Sequence, residues 1–242
     1  MRARVKFAKY GAMKFIGHLE LMRFMHGAVR RAGLPVKYDE GMHRRMVMSF
    51  AMPLGVGATS SAEYMDIEME EPVPTETAMR LLGEQMCEGI DILDFREVDD
   101  SKKMKAMTIV AAAVYDVKFR EGYEPEWDWR EDLRTLLSLE TIPWVKETKK
   151  GTRELDMRPL IYSVDFEGVK GSPDLTDGSL GFRACLCCSV GENLKPEQLI
   201  GELYRRRGQE MPAFALIVHR VDLLTRQDEK LISLGDLGNP IS

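Results

Sequence analysis

The side chains of this 242-residue chain best suited to chemistry are four cysteines, four histidines and a run of early arginines. A four-iron cluster with one open iron needs three closely spaced thiolates. Cys185, Cys187 and Cys188 lack that spacing, since on a strand the first two share a face and the third points away. They read as core or surface thiols, Cys87 has no partner near it in sequence, and no metal or cofactor is expected. His18 directly follows Gly17 in the first turn of a helix, where free N–H groups and the helix dipole favour an anion. His43, Arg44 and Arg45 share a turn before a strand, and the guanidinium fork suits phosphate or carboxylate. Arg23 and Arg30 lie seven residues apart on one side of the first helix. Arg158, in D-M-R-P-L-I, either pairs with Asp156 or faces a ligand. The binding candidates are therefore His18, Arg23, Arg30, His43, Arg44, Arg45 and Arg158, set against a packed edge histidine and a solvated loop. His26 and His219 have no supporting constellation and read as structural. No serine elbow, P-loop, H-E-x-x-H or dinucleotide glycine motif occurs, and no catalytic residue is assigned.

Hydrophobic residues make up 44% and charged residues 30% of the chain, which argues against disorder. No window approaches the roughly 20 apolar residues of a membrane span, the start lacks a signal-type apolar core, and the few cysteines suit a reducing compartment. A cytoplasmic protein is expected. The net charge of −5 disfavours a generally sticky nucleic-acid binder. Residues 1–45 nevertheless hold eleven Lys or Arg against three acids, an excess of +8 that leaves −13 for the remainder. That asymmetry points to a basic face for an anionic partner, or to basic side chains balanced by acids nearby in space.

The elements that would position these groups follow from periodicity. Residues 4–9 alternate Val5 and Phe7 with basic residues, as in a strand with one buried face. A helix over 17–32 has a stripe of Met22, Met25 and Val29 and stops at Gly33. Strands over 47–54 and 62–69, a helix from Pro74 to Gly89 and a strand over 90–98 complete a βαββαβ order. The order begins again with a strand over 111–120 and a helix capped by Asp128 and Glu131. Extended stretches at 145–149 and 160–166, a strand over 182–190, a helix opened by Pro196 and a strand over 214–224 follow. The expected fold is α+β, two tandem ferredoxin-like domains at 1–100 and 107–226. The second has an inserted hairpin around 151–158 and 167–179, and residues 227–242 form a peripheral or disordered tail.

Four segments carry a resemblance: F-I-G-H-L-E-L-M-R (15–23), R-R-A-G-L-P (30–35), S-F-A-M-P-L-G-V-G (49–57) and S-A-E-Y-M-D-I-E (61–68). D-M-R-P-L-I and N-L-K-P-E-Q-L (193–199) match more weakly. The chain resembles the radical SAM-linked protein family, a bacterial domain of unknown function encoded beside, or fused to, a cobalamin-domain radical SAM protein. Where such relatives read G-F-N-P-H-P-K-I-S-F, this chain has G-M-H-R-R-M-V-M-S-F at 41–50. The N-P-H-P turn is gone, and any role it has in the family is altered here or falls to His43, Arg44 and Arg45.

The resemblance implies a non-catalytic partner that binds substrate, with RNA the expected one, and presents it to a radical SAM protein encoded separately. An RNA-processing or RNA-modifying enzyme using His18 or His43 as acid/base is the first alternative. A protein-interaction adaptor is the second.

Overall fold

The structure, a computed structural model, describes residues 1–148, 151–167 and 181–242. In chain order the elements are β1 (Arg2–Lys9), α1 (His18–Arg31), β2 (Met48–Phe50), β3 (Thr59–Glu68), α2 (Thr75–Gly83) and β4 (Ile90–Val98). After these come α3 (Ala106–Ile109), β5 (Val110–Phe119), α4 (Trp129–Leu137), β6 (Pro143–Thr148), β7 (Gly151–Asp156) and β8 (Ile161–Asp165). The rest are β9 (Gly181–Cys187), α5 (Pro196–Arg206), β10 (Leu216–Gln227), β11 (Lys230–Ser233) and β12 (Asn239–Pro240). The fold is α+β with a large mixed sheet. The chain divides into two compact units, residues 1–113 with 219–242, and residues 114–218.

In the first unit the strands lie in the order β12-β4-β1-β3-β10, with β2 also along β3 and β11 along β10. β1 is antiparallel to both β3 and β4, and β2 is antiparallel to β3. β10 joins β3 in parallel through His219↔Thr59 and Arg220↔Ser60. Ala3, Val5 and Phe7 of β1 and Met65 and Ile67 of β3 form one core with Leu21, Met25, Ala28 and Val29 of α1 and Ala78 and Leu82 of α2. Helix α1 stops where Gly33 adopts φ +66°, a left-handed conformation that costs glycine little.

Alternation in β1 predicts one buried face, yet Arg2, Arg4 and Lys9 are buried as well. The arginines are enclosed because acceptors surround them. All five N–H donors of Arg2 are used: Nε and Nη2 reach Glu68 Oε1, Nη1 reaches the carbonyls of Asp99 and Ser101, and Nη2 that of Asp100. Arg4 holds both oxygens of Asp66, at 2.8 and 3.2 Å, and the Met104 carbonyl, while Asp66 also accepts the Ala106 N–H. The polar connector after β4 is thus tied to β1 by its own carbonyls.

Two shorter elements depart from expectation. The strand expected over 47–54 is confined to Met48–Phe50, because Pro53 and Gly55 leave the ladder. α2 ends at Gly83 rather than Gly89, and the chain then turns so that the Gly89 carbonyl accepts the Tyr10 N–H.

The second unit has β5, β9 and β8 as consecutive neighbours, with β6 and β7 a separate antiparallel pair. Asp128 accepts the Glu131 N–H at 3.1 Å, so α4 starts as its capping residues predict. Pro196 opens α5, and Gln198 Oε1 accepts the Lys195 N–H at 2.9 Å. The hairpin expected around 151–158 is the β6–β7 pair, and positions 168–179 of that expectation lie outside the described residues.

The tail needs correction. Asp228 and Glu229, both with positive φ, turn β10 into β11, and Leu234 is fully buried. β12 then pairs with β4, and Ile241 exchanges two hydrogen bonds with Thr75. Gly238, at φ +85°, passes so close to the Glu97 carbonyl that a Cβ would lie 2.1 Å from it. Burial of Leu234 and this close approach make 227–242 an integral part of the first unit. Leu234→Ala is therefore expected to cost about 2–4 kcal/mol of unfolding free energy. Urea denaturation of the variant checks this, and a cost below about 0.5 kcal/mol would restore the peripheral tail.

Candidate functional site

Between the pairs Phe7↔Glu63 and Lys9↔Ser60, β3 carries one residue more than β1. Such a bulge re-aims side chains. Beside it Glu63 lies with Lys9 and Arg220, while Thr59 and Ser61 hydrogen-bond with His219. Lys9, Glu63 and Arg220 are all nearly inaccessible. Arg220 Nε and Nη2 hold Glu63 Oε1 at 2.9 and 2.6 Å, and Nη2 also donates to the Met52 carbonyl at 2.8 Å. Lys9 Nζ donates to the Ile16 carbonyl at 3.2 Å. Burial lowers the Lys9 pKa, Glu63 opposes that shift, and Arg220 reinforces it. Two buried cations therefore face one carboxylate.

His18 heads α1 beside this cluster. Its ring meets Phe50 edge-on at 5.5 Å, and Phe50 in turn meets Phe7 at 6.3 Å. Burial lowers the His18 pKa, with Glu63 raising and Lys9 lowering it, which favours the neutral imidazole. On the other side of the bulge, His219 Nδ1 lies 2.8 Å from Thr59 Oγ1 and Nε2 lies 2.8 Å from Ser61 Oγ. Three of the four segments that carry the resemblance meet here: Gly17 and His18 from the first, Phe50 and Met52 from the third, Ser61 and Glu63 from the fourth.

The other sequence candidates lie elsewhere on their units. Arg23 and Arg30 are exposed on α1, about 10 Å apart along its axis, and have no hydrogen bond or ion pair among the described residues. His43, Arg44 and Arg45 are exposed on a loop closed by Asp39. Asp39 donates its N–H to the Arg45 carbonyl at 2.9 Å, and its carboxylate accepts the Arg45 N–H at 3.0 Å. The Arg44 and Arg45 guanidinium groups have no partner among the described residues. Arg158 belongs to the second unit and braces a turn. Its Nη1 donates to the Ile161 carbonyl at 3.2 Å, and Asp156 accepts the N–H groups of both Arg158 and Ile142.

The leading basic excess is thus divided. Arg2, Arg4 and Lys9 are buried with carboxylates, Arg31 is taken by Gln85, and Arg23, Arg30, Arg44 and Arg45 present unpaired charge to solvent. Sequence reasoning missed Lys9, Glu63 and Arg220 because Glu63 and Arg220 are 157 residues apart. The S-A-E-Y segment was the one available signal, and it named Glu63 without its partner.

The two cysteines of β9 and Cys188 directly after it belong to the core. Cys185, Cys187 and Cys188 are buried, burial pushes the Cys185 thiol up to about 11, and Cys187 Sγ donates to the Glu192 carbonyl at 3.4 Å. Among the described residues no group of His, Cys, Asp or Glu is arranged to hold a metal, and no helix is long and apolar enough to cross a membrane.

Fold and site together define an α+β protein whose early basic residues include a buried set held with carboxylates and an exposed set unpaired among the described residues. Over residues 2–196 the sequence matches the family described as an uncharacterized protein conserved in bacteria, DUF2344, and the chain belongs to that family. No curated protein sequence matches it. Among solved structures it is similar to a chain in a Cbf5–Nop10–Gar1 complex, at 11% identity and a TM-score of 0.45, covering 97% of this chain and 53% of that one. A chain in the archaeal box H/ACA sRNP Nop10–Cbf5 complex gives 11% identity, a TM-score of 0.42, and coverage of 97% and 52%. One in an H/ACA RNP bound to a substrate RNA containing 2'-deoxyuridine gives 12%, 0.43, and coverage of 97% and 51%. The chain spans about half the length of these proteins.

The thiol environments lead to a direct measurement. At pH 8 a thiol with a pKa of about 11 is almost entirely protonated and enclosed, whereas Cys87 is exposed. Brief iodoacetamide treatment of the folded chain is expected to alkylate Cys87 and spare Cys185, with both modified in urea. Peptide mass spectrometry reads the pattern, and rapid native alkylation of Cys185 would refute it.

Proposed function

We propose that this chain is a non-catalytic partner of a radical SAM enzyme supplied by a separate polypeptide, and that it binds RNA and presents it to that enzyme. The observation that carries the RNA part is the set of exposed guanidinium groups at Arg23, Arg30, Arg44 and Arg45, which lack protein acceptors among the described residues. Guanidinium forks of this kind suit phosphate oxygens. The partner part rests on the resemblance of the segments between residues 15 and 68 to radical SAM-linked proteins, three of which meet around His18 and Glu63. The spacing of Cys185, Cys187 and Cys188, unsuited to three cluster thiolates, and their burial support placing the iron–sulfur chemistry on the other polypeptide.

Strand order supports reading both units as ferredoxin-like. β4-β1-β3, with β2 on the far side of β3, matches a split βαβ arrangement. In the second unit β5-β9-β8 repeats it, with β6–β7 inserted.

Binding to structured RNA, followed by fluorescence anisotropy, is expected to weaken with salt. Arg23→Glu, Arg30→Glu and Arg44→Glu should each lower affinity and flatten the log–log salt slope by roughly 0.7–0.9 per lost phosphate contact. Affinity indifferent to salt and to all three changes would remove the RNA part. Recovery of RNA without any radical SAM protein, in pull-downs from native lysate, would remove the partner part.

One observation favours a second reading, in which the chain itself processes RNA. His18 heads α1 beside Glu63 and Lys9, and burial favours its neutral form, the form a general base needs. That reading demands RNA cleavage or modification by the purified chain alone, abolished by His18→Ala.

A further inference from the structure

We infer that the amino-terminal end of α1 is a stacking platform for one unpaired base of the bound RNA, with Phe15 as its aromatic face; this rests on the RNA-binding reading and names the form of RNA it takes. Phe15, Leu19 and Val56 are 66%, 63% and 65% exposed, although each is large and apolar. The turn Gly11–Phe15 and the loop carrying Val56 are fastened together, because the Gly57 N–H donates to the Lys14 carbonyl at 2.8 Å. Gly57 makes that loop with φ +89°. Three exposed apolar side chains are thereby brought to one end of α1, where exposure this large marks a contact surface.

Charge identifies the occupant. Lys14 Nζ sits 5.4 Å from the centroid of the Phe15 ring, a cation above an aromatic face. From Leu19 the outer side of α1 continues at helical spacing to Arg23 and Arg30, both exposed and unpaired among the described residues. Glu20, the acid of the first turn, is directed back at Gly17, where its Oε2 would lie 2.6 Å from an added Cβ. An aromatic and aliphatic end followed by guanidinium groups is the arrangement that takes a splayed base and then the phosphates of the same strand. Duplex RNA keeps its bases stacked on one another and offers this platform only phosphates.

The test compares a fluorescein-labelled single-stranded 12-mer of adenosine with a blunt 12-base-pair RNA duplex, at fixed salt, on the full chain. Phe15→Ala is expected to weaken the single strand by roughly 5- to 150-fold, the range for one stacked base, and to leave the duplex unchanged. Phe15→Trp should retain binding, and Phe15→Leu, which keeps apolar contact without the π face, should behave like the alanine variant. Unchanged single-strand affinity in Phe15→Ala, or full retention by Phe15→Leu, would overturn the platform while leaving the RNA reading intact. An equal loss on the duplex would also overturn it, by showing a general rather than a base-directed effect. Loss of radical SAM protein capture by Phe15→Ala, with RNA affinity intact, would reassign the surface to protein and overturn it as well. Failure of the unmodified chain to bind either RNA would remove the underlying reading itself.

Discussion

Everything in the first unit depends on β1 being buried on both faces. One face is covered by α1 and α2 through apolar contact, which needs only shape and volume. The other encloses the guanidinium groups of Arg2 and Arg4, and a buried charge is costly unless it is paired and hydrogen-bonded. Arg2 meets that condition with a carboxylate and three backbone carbonyls, whereas Arg4 takes Asp66 and the Met104 carbonyl but leaves its Nη1 without a partner among the described residues. The connector after β4 is therefore part of the core's electrostatics. Exchanging such pairs for apolar residues can be neutral, but removing one member typically costs about 3–5 kcal/mol, because the other charge is left buried and uncompensated.

The same strand accounts for how the early basic excess is used. Side chains that alternate on β1 are drawn inward by Asp66 and Glu68, while the guanidinium groups of Arg23, Arg30, Arg44 and Arg45 on α1 and the 39–45 loop form no ion pair among the described residues. A charge count over residues 1–45 sums the two sets. Only the three-dimensional pairing separates guanidinium groups that hold the fold from those that face solvent.

Local rules were legible in the sequence where the physics is local. The α1 stripe, the Gly33 stop, the Asp128 cap and the Pro196 start each depend on residues within about one turn. Alternation misled at β1, because period two reports a face change and a basic residue on the second face can be solvated or paired. The tail was misjudged because its anchors, Leu234, Ile241 and Gly238, act on residues far upstream. The candidate site was half visible: His18 and Glu63 lie in segments that carry the family resemblance, but Arg220, which holds Glu63 in place, comes from β10. The register shift in β3 next to Glu63 is likewise announced by no spacing rule.

The return of β10 to β3 bears on biosynthesis. The first unit is made of residues 1–113 and 219–242, so its last strands leave the ribosome only after residues 114–218 have emerged. At a translation speed of roughly 5–20 residues per second, that interval lasts on the order of 5–20 s. Throughout it Glu63 stands without Arg220, and the flank of β3 at Thr59 and Ser60 is an unfilled strand edge. The nascent chain has a vulnerable period built into its connectivity, one that a chaperone or an early-docking partner would shorten.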